Sequence, residues 1–182
     1  MKKQPKSSSS VLKLFIALSD RAEDNKKHLE KMKVVSADCL ALFAEVSALH
    51  YLVQGTTFQD IHKITNKIYD FFLEQYDFFN ERLVQLAKSP VKNIKEIALL
   101  TSVASELIPT DENRLIVVNT YSVCERLIHI LQVHQKNLNE LKKLASSSED
   151  FVTEDYCIQK LYFTTKEIWQ LKSRLSMQEI KK

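Results

Sequence analysis

Apolar residues along this chain return every three or four positions over long stretches, the pattern of amphipathic helices packed on one another. From about residue 33 to 55 they fall at Val35, Cys39, Leu42, Val46, Leu49 and Val53, which keeps one stripe on one helix face. Gly55, the only glycine, closes this first helix, and Thr56 and Thr57 stand where they can cap a second one over residues 58–88. Its stripe is Ile61, Ile64, Ile68, Phe72, Phe79, Leu83 and Leu86, interrupted at Gln75, and Pro90 lies just beyond its end. Residues 93–105 allow a short helix with Ile94, Ile97 and Thr101 on one side, before Pro109 and Asp111 mark a break. A third long pattern over 112–145 carries Val117, Tyr121, Cys124, Ile128, Leu131, Leu138 and Leu141. The last, over 153–177, places Ile158, Leu161, Thr165, Ile168, Leu175 and the stem of Lys172 inward, with Trp169 beside them. Four long helices predict an all-α four-helix bundle with a short helix between the second and third. That connection, about twenty-two residues with its insert, suits a bundle with one long crossover.

Composition narrows this further. One Gly and three Pro in 182 residues leave too little punctuation for a protein of hairpins. The length fits one bundle domain over 11–182, preceded at 1–10 by a mobile tail in which Lys2, Lys3 and Lys6 are followed by four serines. A net charge of +3 is far from the field of a dedicated nucleic-acid domain, so any such contact is local. Cys39, Cys124 and Cys157 sit inside apolar periodic segments with no CxxC spacing, and read as reduced packing residues. The apolar stretch at 11–18 is broken by Lys13 and is shorter than the roughly eighteen residues of a membrane span. A cytoplasmic protein without membrane contact is expected.

Candidate chemistry gathers at the first two helices. His50 ends the first and His62 opens the second, which goes on to carry Asn66, Asp77 and Glu81. At about 100° per residue, positions 62, 66, 77 and 81 span a sector of about 100°, so they share one face. Imidazole nitrogens with hard carboxylate oxygens suit Fe(II), Mn or Zn rather than a thiol-preferring metal. Without further information, a histidine on an amphipathic helix is more often a packing or surface residue than a ligand. No chemistry is assigned to His28, His129 or His134.

The stretch HYLVQGTTFQDIHKITNKIYDFFLEQYDFFNERLVQL resembles the signature of the Dps family, the mini-ferritins known as DNA-protection-during-starvation proteins. The matching residues are His50, Gly55, Phe58, His62, Asp77, Glu81 and Arg82, and KEIWQLKSRL in the last helix is similar to the family's closing pattern. Two histidines and two acids at fixed offsets arise by chance from this composition on the order of once in a hundred thousand registers.

The resemblance implies a ferritin-like bundle and a shell of twelve subunits. It further implies Fe(II) oxidation, preferentially by hydrogen peroxide, and storage of the ferric product in the cavity. His50, His62 and Asn66 of one chain and Asp77 and Glu81 of its neighbour would bind the iron, with His50, His62, Asp77 and Glu81 as the catalytic set. Where the family has an aspartate this chain has Asn66, and Tyr51 replaces a common tryptophan. By the same resemblance Asp150, Glu154 and Asp155 would line an iron-entry pore, and Lys2, Lys3 and Lys6 would contact DNA through its phosphates, giving nucleoid association. The alternative implied by Asn66 is a non-enzymatic structural or DNA-compacting shell with a weakened metal site.

Overall fold

The structure is a computed structural model, and it describes the backbone of residues 8–104 and 118–179 and the side chains of 22–104 and 118–176. Its elements run in the order α1 (Ser8–Leu52), β1 (Val53–Gln54), α2 (Phe58–Gln85), α3 (Ile94–Leu100), β2 (Val118–Asn119), α4 (Thr120–Ser147) and α5 (Phe151–Glu179). The four long helices and the short insert match the expected bundle. Two boundaries differ most: α1 begins at Ser8 rather than near 33 and so reaches into the segment expected to be a tail, and α4 begins at Thr120 rather than near 112.

Paired side chains give the register. Glu45 with Arg126, Asp38 with Asn137 and Lys31 with Glu140 run in opposite senses along α1 and α4. Likewise Asp60 with Arg174, Lys67 with Glu167, Glu74 with Lys160 and Arg82 with Asp150 set α2 antiparallel to α5. Helices α2 and α4 therefore run parallel, and the chain between them must travel the length of the bundle. Buried Asp38 holds one point of that crossover, accepting hydrogen bonds from the Thr101 hydroxyl (2.8 Å), the Ser102 amide (2.6 Å), the Ser102 hydroxyl (2.7 Å) and Asn137 Nδ2 (3.0 Å). Another point is the two-residue parallel pairing of β1 with β2, Val53 opposite Val118, which ties the end of α1 to the start of α4.

Between β1 and α2 the chain turns at Gly55, whose φ of +132° suits glycine. The expected threonine cap is not formed: Thr57 makes no side-chain capping bond, and the Phe58 amide instead donates to the Gly55 carbonyl at 3.1 Å.

The core contains the predicted stripe of α1 in full, from Val35 to Val53, with the apolar faces of α2 and α4 against it. Gln75, the break in the α2 stripe, is buried and bonds His134 of α4 at 2.9 Å. Burial holds the His134 imidazole neutral, its pKa pushed down to about 3. Two expectations fail on burial. Tyr121 is exposed rather than part of the α4 stripe, and on α5 the inward positions are Thr153, Cys157, Thr164, Ile168 and Leu171, while Ile158, Thr165 and Lys172 face out. Leu161, Ile168 and Leu175 of the expected α5 stripe do pack in or against the core; the stripe drifts off it at Ile158 because this helix carries two apolar faces. Phe151, Ile158, Tyr162 and Trp169 form an outer one that the single chain leaves in water, Trp169 at 65% exposure.

Candidate metal site

Among the described residues, every buried carboxylate of the bundle interior already has a partner. Asp38 holds its four hydrogen bonds, Glu45 pairs with Arg126, Glu167 with Lys67, and Asp150 with Arg82. Among the described residues no group of three or more His, Cys, Asp or Glu stands close enough within the chain to hold a metal ion. The three cysteines are buried and free, and burial raises the thiol pKa of each, as expected of packing residues.

His50 and His62 meet at the turn between α1 and α2, their rings stacked 3.6 Å apart between centroids with 24° between planes. Each ring is held by the other residue's backbone: His50 Nδ1 lies 3.1 Å from the His62 carbonyl, and His62 Nδ1 lies 3.2 Å from the His50 carbonyl. A carbonyl only accepts, so each Nδ1 carries the hydrogen, and in the neutral ring the lone pair is left on Nε2. Thr65 completes the arrangement. Its hydroxyl stands 3.0 Å from His50 Nδ1 and donates back to the carbonyls of its own helix, Ile61 at 3.0 Å among them. Burial, then the neighbouring His62, lowers the His50 pKa, which keeps that imidazole neutral near pH 7. Imidazoles held at Nδ1 by a carbonyl, with Nε2 left for a ligand, have the outer support that metal-binding histidines use. The residues present therefore fit a divalent ion such as Fe(II).

One turn along α2, exposed Asn66 donates from Nδ2 to Asp70 at 2.9 Å and accepts from the Tyr69 hydroxyl at 2.5 Å. Tyr69 also packs edge-on against His50, 5.3 Å between centroids, and Tyr51 does so at 5.4 Å. Asp77 and Glu81 are on the same face of α2, exposed, and make no hydrogen bond or ion pair among the described residues. However, Asp77 is fifteen positions from His62, or about 22 Å along a helix rising 1.5 Å per residue. The structure thus gathers His50, His62 and Asn66 at one end of the helix and leaves Asp77 and Glu81 toward the other.

Of the acids at the start of α5, Asp150 is engaged within its own chain. It is buried, receives Arg82 at 2.6 Å, and caps the helix by accepting from the Thr153 amide (3.1 Å) and hydroxyl (2.6 Å). Although burial disfavours its charge, the bonds from Arg82 and Thr153 hold its carboxyl below the usual range. Asp155 is exposed and Glu154 half-buried. Lys2, Lys3 and Lys6 lie outside the described residues.

Sequence reasoning missed Thr65, Tyr69 and Asp70. The last two follow His62 on its face by about two turns and could have been read from that spacing.

A bundle with one long crossover and its histidines at the first turn is the ferritin-like class, and a model of the ferritin-like domain matches residues 29–179. The chain belongs to the Dps family of that class. It is 32% identical over 150 residues to the DNA protection during starvation protein of Helicobacter pylori, covering 82% of this chain and 99% of that protein. Its fold is similar to that of Helicobacter cinaedi CAIP, with a TM-score of 0.72 at 26% identity over 81% of this chain and 99% of that one. It also resembles the Dps protein of Vibrio cholerae, described as a member of a broad superfamily of ferritin-like diiron-carboxylate proteins. There the TM-score is 0.73 at 17% identity, over 84% of this chain and 91% of that one. Among the described residues no helix is long and apolar enough to cross a membrane.

Proposed function

We propose that the chain is a Dps-type ferroxidase that oxidises Fe(II) with hydrogen peroxide and stores the ferric product inside a shell of twelve copies. The observation that carries this reading is the division of the donors. Two imidazoles with Nδ1 tied down and Nε2 free stand at one end of α2, and two unpaired acids lie on the same face toward its other end. Two copies of α2 laid antiparallel across a two-fold axis bring the histidines of one chain to the acids of the other, and an isologous contact does this twice. His50, His62 and Asn66 then bind Fe(II) with Asp77 and Glu81 of the neighbour. The mixed set is hard enough for iron, and its carboxylates stabilise the higher charge of the ferric product. Each Fe(II) yields one electron and peroxide consumes two, so two irons are oxidised per peroxide reduced to water.

The outer apolar stripe of α5 supports assembly, since such a patch in water marks a contact surface. Exposed Asp155 and half-buried Glu154 draw cations toward the shell if they meet at its pores. The test is direct. Protein eluting at the mass of about twelve chains, given Fe(II) and peroxide, develops ferric absorbance. A monomer, or a shell with a flat trace, rejects the enzymatic reading, and the second outcome favours the non-enzymatic shell that a neutral Asn66 would leave.

The lysine-bearing tail is proposed to hold DNA phosphates without sequence readout, each weak contact multiplied over the copies of a shell. Deleting residues 1–7, which stop short of α1, is expected to leave the shell intact while abolishing DNA retardation at about 0.15 M salt. Equal retardation with and without them rejects this role.

A further inference from the structure

Asn66 is a poor metal ligand when considered alone, because a neutral amide oxygen brings no charge to a divalent ion. The structure shows that it is not alone. A carboxylate only accepts, so the Asn66–Asp70 contact at 2.9 Å fixes which end of the amide is which: Nδ2 points to Asp70, and Oδ1 points the other way. With the amide so turned, the Tyr69 hydroxyl donates to Oδ1 at 2.5 Å, which leaves a second lone pair on that oxygen. Tyr69 in turn stands edge-on against His50. An amide whose N–H is bound to an anion has its electron density drawn toward oxygen, and hydrogen bonds in series polarise one another in this way. His62, Asn66 and Asp70 follow each other four residues apart on one face of α2, so the charge of Asp70 lies one turn beyond the amide it polarises.

We propose that Asp70 is a positioning residue of the iron site: it orients and polarises Asn66 so that Asn66 Oδ1 serves as the ligand, supplying through the amide a part of the negative charge that an aspartate at position 66 would bring directly. The inference rests on the ferroxidase reading above. It assigns to Asn66 and Asp70 together the role of a ligand and its outer carboxylate, the relation by which outer partners commonly tune metal ligands.

The test is a double-substitution cycle on the assembled protein, with Co(II) as a probe that binds without being oxidised. Binding is followed by calorimetry and by the visible spectrum of the bound ion. Asp70→Asn keeps the shape of an exposed side chain and removes only its charge. It is expected to weaken Co(II) binding about tenfold when residue 66 is Asn. In the Asn66→Asp background the same change is expected to cost little or to help, because residue 66 then carries its own charge and no longer needs a carboxylate beside it. Asn66→Asp with Asp70→Asn together should bind at least as well as the parent.

The inference is overturned if Asp70→Asn binds Co(II) like the parent, or if it weakens binding by the same factor in both backgrounds, since the two residues would then act independently. His50→Ala and Asp77→Ala serve as controls for the underlying reading. If both lose Co(II) while Asp70→Asn does not, only the present inference fails. If neither control loses it, the site itself is misplaced.

Discussion

Replacing His50 or Asp77 with alanine is expected to slow Fe(II) oxidation by about a hundredfold or more while the shell remains assembled. Substituting outer partners of metal ligands costs about tenfold to a hundredfold, so loss of a ligand itself belongs at or beyond the upper end. The two residues reach this result by different routes. His50 is nearly buried, neutral, and locked by the His62 carbonyl and Thr65, so its removal deletes a nitrogen donor already set in place. Asp77 is exposed and makes no hydrogen bond or ion pair among the described residues, so its removal costs its own chain almost nothing in packing. An equal loss of activity from these two unlike substitutions would mark a shared chemical role. Light scattering on each variant separates that from loss of the shell, and parent rates in both variants would show that the site lies elsewhere.

The largest effect on stability is expected at Asp150. Alanine there removes the cap of α5 and the partner of Arg82 together, and it takes away the carboxylate 3.5 Å from buried His28. Breaking a buried ion pair from one side costs about 3–5 kcal/mol, because the remaining charge stays desolvated. For a chain of this size that corresponds to a fall of roughly 10 °C in the melting temperature. The pH dependence follows the same group. Its carboxyl is lowered, so its contribution is fully present above the unfolded value of about 4 and is lost as pH falls through the lower folded value. Thermal melting at neutral pH checks the claim, and a variant that melts within about 2 °C of the parent would contradict this structural role for Asp150.

The parts of the fold that were legible in the sequence are those written in a single helix. The stripe from Val35 to Val53 is periodic, needs no partner to be recognised, and is buried throughout. What escaped depends on a residue in another helix. The break at Gln75 could not be explained without His134, which lies 59 positions away. His28 could not be placed without Asp150, and Asp150 reads as one acid among several until Arg82 is found against it. The phase of α5 is legible only at Leu161, Ile168 and Leu175, for a related reason. Ile158 is larger and more apolar than Thr153 or Thr164, yet it lies on an exposed face while the two threonines are fully buried. The candidate site divides in the same way. The histidines announce themselves by spacing and by resemblance, but the contact of Asn66 with Asp70 shows only once the side chains are in place.

The central claim is that the iron site is shared, with histidines from one chain and acids from another, and mixed assemblies test it most directly. One variant carries His50→Ala with His62→Ala, and the other carries Asp77→Ala with Glu81→Ala. Each assembled alone is expected to be inactive. In shells formed from equal amounts of the two, half of the two-fold pairs are mixed, and each mixed pair rebuilds one of its two sites from unaltered residues. Fe(II) oxidation should therefore return to about a quarter of the parent rate. A mixed shell as inactive as its components would contradict the account, because the donors would then not be drawn from two chains.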